Sequence, residues 1–403
     1  MKIKKNNEGW QNGVSKEITF IVTKDCQLAC KYCYLVGKNT NERMSFEIAK
    51  QAIDYILSHE EDFKEESVIW DFIGGEPFLE IDLIDKICDY IKTEMYRLNH
   101  HWFNSYRFSF STNGINYDSD KVQAYISKNL EHLSIGITID GTKQKHDLNR
   151  IYKGSGKGSY DDVVKNIPLW INQFPVSGTK VTISSADIPF ICESVLHLYS
   201  LGIKEVSINC VYEDVWKEGD DKKFEQQLML LADAIINRKL YEEYACSLFS
   251  ERIGKSMDIK TNNGNWCGAG RMLSVDAAGT FYPCTRFAQY SLREKKALTI
   301  GNVQDGIDKN RLRPFLTLDR STQSSDECIN CDVADGCAWC QGENYDTAVT
   351  NTIYQRSTAI CKMHKARVRA NNYYWNKLYR KLELEGKRDE FEKNKHEIKQ
   401  EMC

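Results

Sequence analysis

The sequence predicts an α/β protein: a partial (β/α)6 TIM-like barrel, then a loop-rich, cysteine-rich domain, then a helical tail. Three observations carry this reading. Six strand-like segments alternate with amphipathic helical ones through the first half of the chain, the pattern of a parallel sheet with helices outside it. Between residues 266 and 364 the periodicity fades and seven cysteines crowd together. From Ala366 onward the chain is helical and charged.

The strand candidates, in order, are Glu17–Thr23, Ser67–Ile73, Tyr106–Ser111, Leu133–Ile139, Lys180–Ser184 and Glu205–Asn209. The helices between them are expected at Ser45–His59, Asp82–Tyr96, Ser119–Asn129, Tyr160–Gln173 and Ile188–Leu201, where apolar residues recur every three or four positions. Ser45 is a natural N-cap for the first of these. Asp221–Ala245 reads as one long helix with Phe224, Leu228, Leu231 and Ile235 or Ile236 on its apolar face. Lys260–Asn265 reads as a linker. These breaks divide the chain into a core (1–215), a bridging helix and linker (216–265), a cysteine-rich domain (266–364) and a tail (365–403). In the tail, Tyr373, Tyr374, Trp375, Leu378 and Leu382 can pack on the body, and beyond Gly386 a solvated helix or frayed end is expected.

With 403 residues, 41% of them hydrophobic, the chain has material for a large core and a smaller second unit. A net charge of −3 provides no overall positive field for nucleic acid or anionic lipid. No apolar run reaches the roughly eighteen residues of a membrane span. Met1–Gly13 is basic and polar, unlike a secretory signal, so a cytoplasmic location is expected. Fifteen cysteines in such a compartment imply metal rather than disulfides, and two separated clusters imply at least two sites.

The first cluster, Cys26-x3-Cys30-x2-Cys33, follows the first strand directly. Three thiolates can hold three irons of a cubane and leave the fourth free for a ligand. A structural zinc loop would want a fourth nearby Cys or His, and none is present in the sequence there. Tyr32 precedes the third cysteine. The next three strands end in Gly74-Gly75-Glu76-Pro77, Ser111-Thr112-Asn113-Gly114 and Thr138-Ile139-Asp140-Gly141, with His146, Asp147 and Arg150 following. Taken singly these strings are ordinary: Gly-Gly-x-Pro and Asn-Gly are common turn compositions. Gly154-Ser155-Gly156-Lys157-Gly158-Ser159 lacks the spacing of a phosphate loop and reads as a flexible lead into the helix at Tyr160.

In this order, the motifs resemble the radical S-adenosylmethionine (SAM) superfamily. The resemblance implies that Cys26, Cys30 and Cys33 hold a [4Fe-4S] cluster whose open iron binds SAM, and that a flavodoxin- or ferredoxin-type protein supplies the electron that cleaves it. It further implies that Tyr32 lies near the adenine, that Gly74 and Gly75 admit the ligand, and that Glu76 accepts the SAM ammonium. Ser111, Asn113 and Thr138 would face the ribose, and Arg150 a carboxylate.

The second set runs Cys267, Gly279-x4-Cys284, Cys328-x2-Cys331-x5-Cys337-x2-Cys340 and Cys361. On spacing alone, zinc and iron–sulfur are both open. The string resembles the SPASM extension of radical SAM enzymes, except that Ala338 and Trp339 stand where the family has three residues. The resemblance implies two auxiliary [4Fe-4S] clusters: an outer one on Cys328, Cys331, Cys337 and Cys361, and an inner one on Cys267, Cys284 and Cys340. Cys88, Cys192, Cys210 and Cys246 are expected as buried hydrophobes, and Cys403 as a terminal free thiol.

Enzymes with this extension mostly modify peptides. Sulfatase-maturing members place an Asp base after the cysteine of the Gly-x4-Cys element, where this chain has Thr285, a poor base at neutral pH. Asp276–Gly279 and Asp335–Asn344 resemble maturases that join a cysteine of a ribosomal precursor peptide to carbon as a thioether, with Cys-x-x-x repeats as candidate targets. About sixteen residues precede the first strand, so no N-terminal leader-binding winged helix is expected. The expected function is therefore thioether formation on a precursor peptide. The alternatives are sulfatase maturation and, in another class, a zinc-stapled binding protein without catalysis.

Overall fold

The computed structural model describes residues 14–176, 178–265 and 267–393. Strands β1 (Ser15–Thr23), β2 (Ser67–Gly74), β3 (Tyr106–Thr112) and β4 (Leu133–Ile137) form a parallel ladder. β5 (Gly178–Ile183) and β6 (Glu205–Cys210) form a second parallel ladder, completed by the two-residue β7 (Ala245–Cys246). The two ladders meet where Thr179 donates its hydroxyl to the carbonyl of Ile137. At the outer edge of β1, β8 (Leu273–Val275) adds in parallel, and β9 (Thr280–Tyr282), β10 (Gly301–Asn302) and β11 (Gly306–Ile307) follow antiparallel.

Strand alternation separates two chemical rows. Phe20, Phe72 and Phe110 stand opposite one another across β1, β2 and β3 and face the helices, with ring centroids 5.9 and 5.3 Å apart. One residue earlier, Thr19, Asp71, Ser109 and Ser134 form a polar row on the other face. The apolar row is covered by α1 (Phe46–Ser58), α2 (Ile81–Arg97) and α3 (Asp120–Asn129). Burying each such ring contributes about 2–3 kcal/mol. Ser45 caps α1 by accepting from the Ile48 N–H, as expected. The polar row lines the concave side, where Glu17, Asp71 and Lys180 gather. Burial, with Asp71 beside it, pushes Glu17 up to about 8.

Beyond β4 the sequence boundaries shift for local reasons. The helix expected at Tyr160–Gln173 is two, α5 (Tyr160–Val164) and α6 (Ile167–Gln173), with a short helix α4 (Lys143–Asn149) before them. Pro168 has no N–H to continue the first, and Asn166 at the break donates to the Gly114 carbonyl. Pro189 sits in a 3-10 segment (Ser185–Phe190), so α7 begins at Ile191 and ends at Ser200. α8 (Asp220–Asn237) is shorter than the expected Asp221–Ala245: Lys239 adopts a left-handed φ of +54°, and Ala245 pairs as β7. The apolar face named from the sequence is buried.

Helices α9 (Lys309–Thr317), α10 (Arg320–Gln323), α11 (Asp326–Ile329) and α12 (Gln341–Asp346) punctuate the cysteine-rich segment. α13 (Cys361–Leu384) packs along α8, burying Tyr374, Leu378 and Leu382, while Tyr373 donates to Asp233. A further helical turn spans 388–393. Met1–Gly13, the end of the tail and Cys403 lie outside the described residues. Among the described residues no helix is long and apolar enough to cross a membrane.

Candidate functional site

The Cys26–Cys33 loop leaves the C-terminal end of β1 and is backed by a second segment. Ala29 and Lys31 donate to the carbonyls of Ile151 and Asn149, and Lys153 donates to Gln27. The Leu28 N–H donates to the Cys26 sulfur at 3.3 Å. Cys26 is 3% exposed, and Cys30 and Cys33 are half-buried. Burial pushes the Cys26 thiol up to about 11, so ionising it calls for a positive partner such as a metal.

Gly74 and Gly75 have a structural role beyond admitting a ligand. A Cβ on Gly75 would stand 2.0 Å from the Asp25 carbonyl oxygen, and one on Gly74 would stand 2.2 Å from that of Thr23. The glycines let the end of β2 press against the cysteine loop itself. Glu76 is likewise turned inward at 1% exposure. Its carboxylate accepts from the Phe78 N–H, the Thr112 hydroxyl and the Asn113 N–H, tying β2 to β3. All three bonds are internal, which makes the carboxylate a bracket. Burial raises it, against these hydrogen bonds. Asn113 turns its amide onto Gln27, 3.9 Å from the Cys26 sulfur.

Tyr32 donates to Asp140 at 2.5 Å and receives Arg150 at 3.0 Å. Burial opposes ionisation of Asp140, but Lys145, Arg150 and His146 hold it below the ordinary carboxylate range. Arg150 is 6% exposed and adjoins Cys30, and its buried Nε has no partner among the described residues. That unspent donor beside the loop suits a bound anionic group. Ser111, exposed, and Thr138, half-buried, lie on the open face of the sheet.

The second set gathers as two groups. Cys284 has Cys267 and Cys340 for neighbours, and burial followed by their charges pushes its thiol well up. Cys361 is raised by burial and neighbours Cys337, Cys328 and Cys331. Cys340 therefore sits with Cys267 and Cys284 although two residues, not three, separate it from Cys337. Tyr34 stands between the first loop and the inner three, close to both Cys33 and Cys284. Its ring lies 4.9 Å under the Arg286 guanidinium. Arg286 donates to the Cys340 sulfur at 3.5 Å and pairs with Glu213 and Glu343. Thr285 faces Ser274, hydroxyl to hydroxyl at 3.3 Å, leaving no carboxylate at that position. A cleft of about 740 Å³ opens beside the outer four, lined by Tyr212, Lys217, Cys328, Glu343, Arg356 and Lys362.

Residues 20–184 match the family model for the Radical SAM superfamily. The chain carries a radical SAM domain. That radical SAM domain contains the three-cysteine loop and the strand-end motifs, and the second cysteine set follows it. Over 373 residues the chain is 24% identical to a cysteine-type anaerobic sulfatase-maturating enzyme of Clostridium novyi, spanning 83% of this chain and 91% of that one. AdoMet-bound anSMEcpe shares the fold with a TM-score of 0.67 at 18% identity, over 90% of this chain and 99% of that one. SuiB of Streptococcus suis, bound to precursor peptide SuiA, gives 0.55 at 15% identity, over 86% and 76%.

Sequence reasoning missed Tyr34, Arg286, Arg320 and Arg356 beside these cysteines, and Lys145 beside Asp140. Each is an ordinary residue in an ordinary string. Their proximity to sulfur or to a buried carboxylate exists only in the fold.

Proposed function

We propose that this radical SAM protein is a peptide maturase that joins a cysteine sulfur of a ribosomal precursor peptide to a carbon of another residue. The observation that carries the reading is the grouping of cysteines into three, three and four. Cys26, Cys30 and Cys33 would hold the SAM-binding [4Fe-4S] cluster, Cys267, Cys284 and Cys340 the inner auxiliary cluster, and Cys328, Cys331, Cys337 and Cys361 the outer one. Residues 1–215 would form the core and 266–364 the SPASM domain, linked by 216–265 and followed by the 365–403 tail.

Spacing alone fits zinc or iron–sulfur at the later cysteines, and their place behind the radical SAM domain is what favours iron–sulfur.

When bound, SAM and its cluster supply a 5′-deoxyadenosyl radical. The chain's own residues shape the place where it arises. The Gly74–Gly75 contact and the 149–153 segment fix the cysteine loop, Glu76 fixes the strand ends beside it, and Arg150 offers its free Nε to a carboxylate. Ser111 and Thr138 present hydroxyls on the open face. The three-cysteine inner set leaves room for a peptide thiolate, with Arg286, Glu213 and Glu343 around it. Forming C–S from S–H and C–H removes two hydrogens from the peptide: the deoxyadenosyl radical would take the carbon-bound hydrogen atom, the thiol would give its proton to solvent, and the remaining electron would pass to the inner auxiliary cluster.

Sulfatase maturation is the second reading, favoured by the likeness to the Clostridium enzyme and weakened by Thr285. Co-expression with a cysteine-rich peptide encoded nearby, followed by mass spectrometry, separates the two. Thioether formation lowers the peptide mass by two hydrogens and protects the cysteine from alkylation. An aldehyde that reacts with hydrazide would contradict it.

A further inference from the structure

The outer cysteine group is flanked by two arginines that are hidden from water. Arg320 is 1% exposed and Arg356 6%. Arg356 donates to the Cys337 sulfur at 2.9 Å, and its guanidinium lies 4.1 Å from the ring centre of Trp339. Arg320 donates to the Cys328 carbonyl at 3.1 Å and to the sulfur of Met257, and it feels the charges of Cys337, Cys331 and Cys328. Among the described residues neither arginine forms an ion pair with a carboxylate. Asp326, Glu327 and Asp332, close in sequence, are exposed to solvent. Each guanidinium also keeps a buried Nε without a partner.

Two cations buried together without a carboxylate are costly unless another anion faces them. The anion available is the cysteine group. Four thiolates around a four-iron core carry a net charge of about −2 in the oxidised state, which two arginines neutralise. The inner group is built differently: Arg286, its cation, is itself countered by Glu213 and Glu343. Cations and N–H donors at cluster sulfurs favour the more negative, reduced state and raise the potential, while carboxylates lower it.

We infer that Arg320 and Arg356 are the counterions of the outer cluster and place its reduction potential above that of the inner one. This rests on the auxiliary-cluster reading of the two cysteine groups. It assigns the arginines a role that acts through the cysteines, with no contact to substrate required. Ala338-Trp339, the shortened spacing, contributes by supplying the ring on which Arg356 is stacked.

The test is an anaerobic redox titration of the reconstituted full chain followed by electron paramagnetic resonance. The outer signal is identified as the one absent from a Cys328→Ala/Cys361→Ala variant. Arg320→Gln and Arg356→Gln should each move the outer midpoint to more negative potential, and the double variant further, leaving the inner midpoint in place. In the wild type the outer midpoint should be the higher. Unchanged outer midpoints with full iron content would overturn the counterion role and leave the cluster reading standing. Zinc in place of iron at the outer group would overturn both. Should the glutamine variants shed the outer iron, Arg356→Lys, which keeps the charge, must retain it; equal loss there would overturn the role as well.

Discussion

Gly75→Ala tests whether the cysteine loop depends on the end of β2. The added Cβ would lie 2.0 Å from the Asp25 carbonyl oxygen, 2.4 Å from its carbon and 2.9 Å from the Cys26 Cβ. Restoring ordinary contact at about 3.5 Å requires the two segments to part by about 1.5 Å. That movement breaks the bonds from Gly75 N–H to Thr23 and from Glu76 N–H to Asp25, which are 2.9 and 2.8 Å long. Two hydrogen bonds at about 1 kcal/mol each and about 1–3 kcal/mol of overpacking sum to about 3–5 kcal/mol. The control is Gly154→Ala, at φ +83° with nothing within 4 Å, which carries only the left-handed backbone cost of about 1 kcal/mol. Urea unfolding of the reconstituted protein reads stability, and iron per chain reads the loop. Gly75→Ala should lose several kcal/mol and about four irons per chain, while Gly154→Ala keeps its iron. Equal stability and iron in the two variants would refute the close-contact argument.

Three further outcomes follow. Glu76→Gln should cost about 2–3 kcal/mol in urea unfolding, because a carboxamide cannot accept from all three donors without turning its NH2 toward one of them; a cost near zero would contradict the bracket. Glu17 holds a proton in the folded chain up to about pH 8 that the unfolded chain releases from about pH 4.5, so stability falls as pH rises through that window and levels above it. Glu17→Gln should flatten that slope between about pH 5 and about pH 8, and parallel slopes would show that the proton lies elsewhere. Cys340→Ala should remove about four irons per chain and spare deoxyadenosine formation; loss of the iron held with Cys361 instead would move Cys340 to the outer group.

The strands were legible because short, mostly apolar runs such as Ile18–Val22 and Val68–Ile73 recur between amphipathic helical segments. Helix ends were less legible. Pro168 and Pro189 break helices that apolar spacing alone would carry through, and Lys239 turns the chain in a left-handed conformation its side chain does not advertise. The division of the later cysteines came from the resemblance rather than from spacing, and the fold places Cys340, despite its shortened interval, beside Cys267 and Cys284. The work of Glu76 was not visible. A strand-end carboxylate looks like a ligand in sequence, and its hydrogen bonds to Phe78, Thr112 and Asn113 exist only in the fold. Arg286, Arg320 and Arg356 were invisible because their importance is a distance to sulfur, and sequence separation hides distance.

The most direct measurement is SAM cleavage by the Cys26→Ala/Cys30→Ala/Cys33→Ala variant. With dithionite and SAM under anaerobic conditions, the wild-type chain should produce 5′-deoxyadenosine. The triple variant should produce none while retaining the iron of the later cysteine groups. Deoxyadenosine from the triple variant would contradict the assignment of the first loop as the site where SAM is cleaved.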